Sequence, residues 1–244
     1  MIFNQLLYEI QLFALSEALP NTSKHFLEVF KASTPAFRAC YIVGRTSHML
    51  QPQSTLSRAL RYPICSKEVL EVFRRQSNPI LDAGTTLELP KRLFKSLAPK
   101  EGSVDGPSPK WIDREHPLPY LKYLYDTPGI PLPDVDSHAG YALTKAVHAG
   151  FIPLVCFLLA RGASPKCKKG LAVMVAIRRK DLSLVRMLIE RPKEGTKRRK
   201  LEDRILVNSE MLKMAVKCQA WDIVEYLTTE KGCVPDMQTL RLMH

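Results

Sequence analysis

Apolar residues in this 244-residue chain fall at the three- and four-residue spacing of helix faces, most sharply over residues 133–190. Two blocks there share one layout. Each opens with a helix of small residues, carrying Ala146-Val147 in the first block and Ala176-Ile177 in the second, 30 residues later. A bulkier helix follows each: Leu154, Val155, Phe157, Leu158 and Leu159, then Leu182, Leu184, Val185, Met187, Leu188 and Ile189. Alanine on the first helix lets the second approach closely, and Gly162 stops the second helix by accepting positive φ, while Gly150 completes the spacing A-A-x-x-G with Ala146-Val147. The layout returns 39 residues further on as Ala215-Val216 with Ile223, Val224, Tyr226 and Leu227. Upstream, Leu121, Leu124 and Gly129 lie 33 residues before Leu154, Phe157 and Gly162.

The first half repeats itself more loosely. Leu15-Ser16-Glu17-Ala18-Leu19 followed by Ser23 to Phe30 resembles Leu56-Ser57-Arg58-Ala59-Leu60 followed by Ser66 to Phe73. This predicts helix pairs at about 13–32 and 54–76, with an irregular excursion or short extra helix from Pro35 to Gln51. Leu87–Leu97 is a candidate first helix starting near Pro90, and Pro117–Asp126 a candidate second helix. The Pro/Gly/Ser-rich stretch from Ala98 to Lys110 reads as a surface loop. Ile2 to Ile10, interrupted by polar side chains and without the basic start of a secretory signal, reads as an amphipathic capping helix. The expected divisions are 1–97, a loop at 98–116, and 117–244 with a basic insertion at 192–208.

The block from Ala146 to Pro165 resembles the ankyrin repeat from its first helix into the following turn. The 33-residue spacing is close to that family's period of about 33. The resemblance implies an all-α, ankyrin-like helical-repeat solenoid of five to six degenerate repeats. The last three lie at about 136–162, 170–191 and 209–230. The family's T-P-L-H opening is absent. Tyr141-Ala142-Leu143-Thr144, Leu171-Ala172-Val173-Met174 and Glu210-Met211-Leu212-Lys213 stand at the matching positions. Repeats without that Thr and His are expected to hold together mainly by hydrophobic stacking.

Charge changes the picture more than composition does. The formal net charge is +12. Residues 161–204 carry 15 Lys and Arg against 5 Asp and Glu, a local excess of +10. Lys166, Lys168 and Lys169 lie between repeats, and Arg178, Arg179 and Lys180 end the next first helix. The resemblance implies that these six face the concave partner-binding groove. Trp221, early in the last second helix, is an added interface candidate. Lys197, Arg198, Arg199 and Lys200 lie in the inserted stretch and resemble a nuclear-localisation signal of the kind an importin reads as extended chain.

Candidate chemistry is sparse. The chain lacks a phosphate loop, a G-x-S-x-G elbow and an H-E-x-x-H motif. Its six cysteines include no C-x-x-C pair and read as reduced thiols. Asp134 and Asp136 are expected to cap an inter-repeat turn, and Trp111 to serve as a packing or interface anchor. No apolar run approaches the roughly 20 residues of a membrane span. Together these features predict a non-enzymatic scaffold without metal, cofactor, membrane contact or small-molecule substrate. Its expected partner is an acidic segment of a nuclear or chromatin-associated protein, bound by the basic surface. Two alternatives are direct contact with DNA or RNA phosphates, and an adaptor subunit buried in a larger complex through its N-terminal helix and the Trp221 end.

Overall fold

A computed structural model describes residues 2–47, 55–75, 86–99, 111–112, 116–191 and 203–243. These residues are mostly helical, with little strand. The chain divides into two compact units, Met1–Arg92 with Leu118–Asp134 and Leu93–Pro117 with Val135–His244.

In the first unit, α1 (Ile2–Ala14) is followed by a 3-10 turn over Leu19–Asn21 and by α2 (Lys24–Lys31). The expected helix over residues 15–19 does not form. The Ser16 hydroxyl accepts from the Ala18 and Leu19 N–H groups, both at 3.2 Å, and so offers those donors a local alternative to a helix ladder. Leu15 leaves α1 with φ of 47°. The stretch after Pro35 is a full helix, α3 (Pro35–Ser47). Proline suits its first turn, and the Thr34 hydroxyl caps the Phe37 N–H at 3.2 Å. Helix α3 packs against α1, α4 (Thr55–Ala59) and α5 (Lys67–Arg75), which makes it the spine of this unit.

Leu87–Leu97 is not the expected helix either. It forms β1 (Leu87–Glu88) and a 3-10 turn over Lys91–Phe94. Pro90 lacks a donor and biases Leu89 toward extended backbone, while Leu87 and Leu89 are both buried. Leu87 and Glu88 pair in parallel with Pro133 and Asp134 of β2 (Pro133–Asp134). Between them in sequence, α6 (Leu118–Asp126) forms close to its expected range. Its Tyr120 hydroxyl donates to the Cys65 carbonyl at 3.0 Å, and its Tyr123 hydroxyl to a Glu71 carboxylate oxygen at 2.6 Å.

The second unit contains three successive helix hairpins: α7 (Ser137–Ala149) with α8 (Ile152–Ala160), α9 (Cys167–Arg178) with α10 (Leu182–Ile189), and α11 (Ser209–Lys217) with α12 (Trp221–Glu225). Each first helix packs on its own second helix and on the next first helix, and α13 (Met237–Met243) lies against α11. The small positions Ala146, Ala176 and Ala215 are all 0% exposed, as close helix approach requires. The matching large positions Leu154, Leu184 and Ile223 are buried as well.

The hairpins share their turn chemistry. After each first helix one residue adopts positive φ: Gly150 at 70°, Lys180 at 56° and Gln219 at 55°. The next N–H reaches back to the repeat alanine, Phe151 to Ala146 at 3.1 Å, Asp181 to Ala176 at 3.4 Å and Ala220 to Ala215 at 3.0 Å. This is the Schellman closure, made three times at the 30- and 39-residue spacings of the sequence. The last second helix, continued to Glu230, is one residue longer than α8. A π turn over Tyr226–Glu230 absorbs it, and its closing bond runs from Cys233 N–H to the Leu227 carbonyl at 2.9 Å.

Candidate basic interface

The seven expected contact residues outside the inserted loop are all exposed, but the structure distributes them over two ends of the hairpins. Arg178, Arg179, Lys180 and Trp221 lie at the turns between first and second helices. Trp221 is 54% exposed and occupies the same first position of a second helix as Ile152 and Leu182. Arg179 is partly committed: its Nη1 donates to the His148 carbonyl at 2.8 Å, at the end of α7. A guanidinium there satisfies a terminal carbonyl and suits the negative end of the helix. Arg179 therefore ties one hairpin to the one before it. The same cation, after burial and Lys145, helps hold the His148 imidazole below its ordinary pKa.

Lys166, Lys168 and Lys169 lie at the opposite end of α9. Lys168, Lys169 and Gly170 take left-handed φ of 50°, 57° and 81°, and His138, Ala139 and Gly140 do the same 30 residues earlier. Left-handed backbone is costly for residues with a Cβ, so the repetition marks a structural device rather than local noise. In the earlier turn, the Asp136 carboxylate accepts from the Ser164 N–H at 2.9 Å. It bridges the entry turns of neighbouring hairpins, a longer reach than capping within one turn. The helical part from Gly170 to Arg178 spans roughly 12 Å at about 1.5 Å per residue, which separates the two basic groups.

Lys166 does not stand alone. It lines a hollow of about 520 Å3 with Arg191 and Arg204, beneath the end of α8 and the turn from Gly162 to Pro165. No carboxylate is among the described lining residues. The Arg204 N–H donates to the Ile189 carbonyl at 2.6 Å and its Nε to the Glu190 carbonyl at 3.2 Å, so the chain returns beside the point it left. That closure brings Arg191 and Arg204 together. Burial first, and then the Arg191 charge, lowers the Arg204 pKa from its ordinary value.

The acids next to these arginines in sequence are occupied elsewhere. Lys231 Nζ lies 3.2 Å from a Glu190 oxygen and 3.1 Å from an Asp203 oxygen. The Tyr226 hydroxyl donates to Glu190 at 2.9 Å. Burial alone would raise the Glu190 carboxyl, but Tyr226 and Lys231 hold it below the usual range. Lys231 thus binds both acids and offsets one of their two negative charges, and neither acid is among the described lining residues of the hollow.

Arg191 and Arg204 were not singled out from sequence. Their signal was position, since they stand near the two ends of the inserted stretch, but pairing across an insertion is invisible without the closure. Lys197, Arg198, Arg199 and Lys200 lie outside the described residues. Trp111 packs on Phe151, with ring centroids 4.7 Å apart, as a packing anchor would. Among the described residues no group of three His, Cys, Asp or Glu side chains is placed to hold a metal, and no helix is long and apolar enough to cross a membrane. Comparison with protein-family models, with curated proteins and with solved structures found no match.

Proposed function

We propose that the second unit is a short stack of divergent ankyrin-like hairpins that binds an acidic segment of another protein, without catalysis. The observation that carries this reading is the hollow of Lys166, Arg191 and Arg204, whose neighbouring acids Glu190 and Asp203 are taken up by Lys231. Three cations lining one hollow, with no carboxylate among its described lining residues, attract an anion and gain most from one that is itself partly desolvated. Lys168 and Lys169 extend the positive surface along the same end. The hairpin repeat and its three Schellman closures support the solenoid reading. The basic tetrad at 197–200 supports import into the nucleus and a nuclear or chromatin-associated partner. Replacing that tetrad with alanine is expected to reduce nuclear accumulation of a fluorescently tagged chain.

The binding test uses a fluorescein-labelled Asp/Glu-rich peptide and a random-sequence DNA duplex of matched length, each titrated at low and moderate salt. The peptide is expected to bind, and the pair Lys166→Glu and Arg191→Glu, both exposed lining residues, to weaken it about tenfold or more, roughly 1.4 kcal/mol. The melting temperature should stay close to that of the parent. Tight duplex binding that falls by orders of magnitude with salt would replace this reading with contact to nucleic-acid phosphates. Peptide affinity unchanged by the double reversal would remove the hollow from the interface.

A further inference from the structure

We propose that the hollow of Lys166, Arg191 and Arg204 receives a phosphorylated serine or threonine side chain of the partner segment. This rests on the acidic-segment reading and narrows it, from carboxylates in general to one phosphate monoester among them.

The polar side chains of the hollow are donors. Arg204 is half-buried and anchored, since its backbone N–H donates to the Ile189 carbonyl at 2.6 Å and its Nε to the Glu190 carbonyl at 3.2 Å. The bond at Nε uses one of the five guanidinium N–H groups, and those on Nη1 and Nη2 have no acceptor among the described residues. Arg191 and Lys166 are exposed, and neither side chain has an acceptor among the described residues. Ser164 adds a hydroxyl. Its Oγ accepts from the Lys166 N–H at 3.3 Å, and its own proton has no acceptor among the described residues.

The nearby acids are turned to other partners. Asp136 accepts from the Ser164 N–H at 2.9 Å, and Glu190 and Asp203 are bound by Lys231. None of the three is among the described lining residues.

Charge and shape choose between a carboxylate and a phosphate. Burial and then the Arg191 charge lower the Arg204 pKa, so the two guanidiniums act on each other within the hollow. A carboxylate brings one negative charge and two oxygens, which a single guanidinium fork already occupies. A phosphate monoester brings about −1.5 to −2 and three terminal oxygens, enough to engage a second fork as well. Guanidinium forks match that geometry, while an ammonium such as Lys166 adds a point charge. The remaining wall includes the buried, apolar Leu159, Ala163 and Pro165. It suits the short aliphatic stem of phosphoserine or phosphothreonine. No aromatic side chain is among the described lining residues, so a nucleotide base would find no ring to stack on. The volume of about 520 Å3 has room for a phosphoryl group and the side chain that carries it.

Fluorescence-anisotropy titration of the full chain tests this with three fluorescein-labelled peptides of one Asp/Glu-flanked sequence. One carries a central serine, one a phosphoserine, and one two added glutamates that match the phosphate charge. The phosphoserine peptide is expected to bind about tenfold tighter than the serine peptide, and about threefold or more tighter than the charge-matched one. Arg191→Lys keeps the charge but removes a fork. It should bring the phosphoserine and charge-matched peptides to within about twofold of each other, with the melting temperature close to that of the parent. Equal affinity of those two peptides for the parent chain, or a preference that Arg191→Lys leaves intact, would overturn the proposal. If the serine peptide still binds in that case, the acidic-segment reading survives. Absence of binding by all three peptides would overturn both. Inorganic phosphate that displaces the phosphoserine peptide as effectively as an unlabelled copy of it would reassign the hollow to the free ion and reject the proposal.

Discussion

Gly150→Ala probes the joint between the first two hairpins of the second unit. Gly150 sits at φ of 70°, where a side-chain Cβ costs about 1–2 kcal/mol. A Cβ there would also lie 2.5 Å from Arg179 Nη2 and 3.1 Å from its Cζ. The guanidinium must then leave the His148 carbonyl, which forfeits a hydrogen bond worth about 0.5–1.5 kcal/mol. Gly150→Ala should therefore destabilise by about 1–2.5 kcal/mol, the strain being reduced by the lower freedom of the unfolded chain, and Arg179→Ala by about 0.5–1.5 kcal/mol. The two losses share one interaction. With alanine at 179 nothing remains to be displaced, so the double variant should be no less stable than Gly150→Ala alone. Urea unfolding followed by far-UV circular dichroism measures all three, read as midpoint shifts at constant slope. A double variant whose loss equals the sum of the single losses would refute the claim that Arg179 links the hairpins across Gly150.

Two further outcomes follow from the same turns. Lys180→Gly and Gln219→Gly, at the equivalent positive-φ positions, should each raise stability by about 0.5–1 kcal/mol, the strain relief less the added freedom of the unfolded chain. Equal or lower urea midpoints would contradict the shared closure. His148 is held below its ordinary pKa, so the unfolded chain binds its proton first. Stability tied to this group is present above about 6.5 and is lost as pH falls from there toward the depressed folded value. Thermal melts between pH 7.5 and 5.5 should show this decline, and His148→Gln should flatten it. An unchanged slope in that variant would exclude His148 as its source.

The repeat of Ala146, Ala176 and Ala215, with bulky residues at matched offsets, was legible from sequence because helix packing is a periodic demand. Small residues must recur wherever two helices approach, and the spacing records that directly. Gly162 marked a helix end for the same local reason, and Gly150 proved to mark another. Where local chemistry competed, the apolar pattern misled. Ser16 draws nearby N–H groups from a helix over 15–19, and Pro90 turns Leu87–Leu89 into extended backbone despite a helix-like run of leucines. The basic excess of residues 161–204 was equally plain, but its division was not. Lys166 and Arg178 belong to opposite ends of one helix, while Lys166, Arg191 and Arg204 meet only because the chain closes on itself at Ile189. Lys231, 28 residues beyond Asp203, holds both acids that adjoin the two arginines in sequence. The helices of the second unit and their stacking faces could be read along the chain, because those depend on residues a few positions apart. Tertiary structure alone decided which charges converge and which cancel, because Coulomb interactions depend on distance in space and not on separation along the chain.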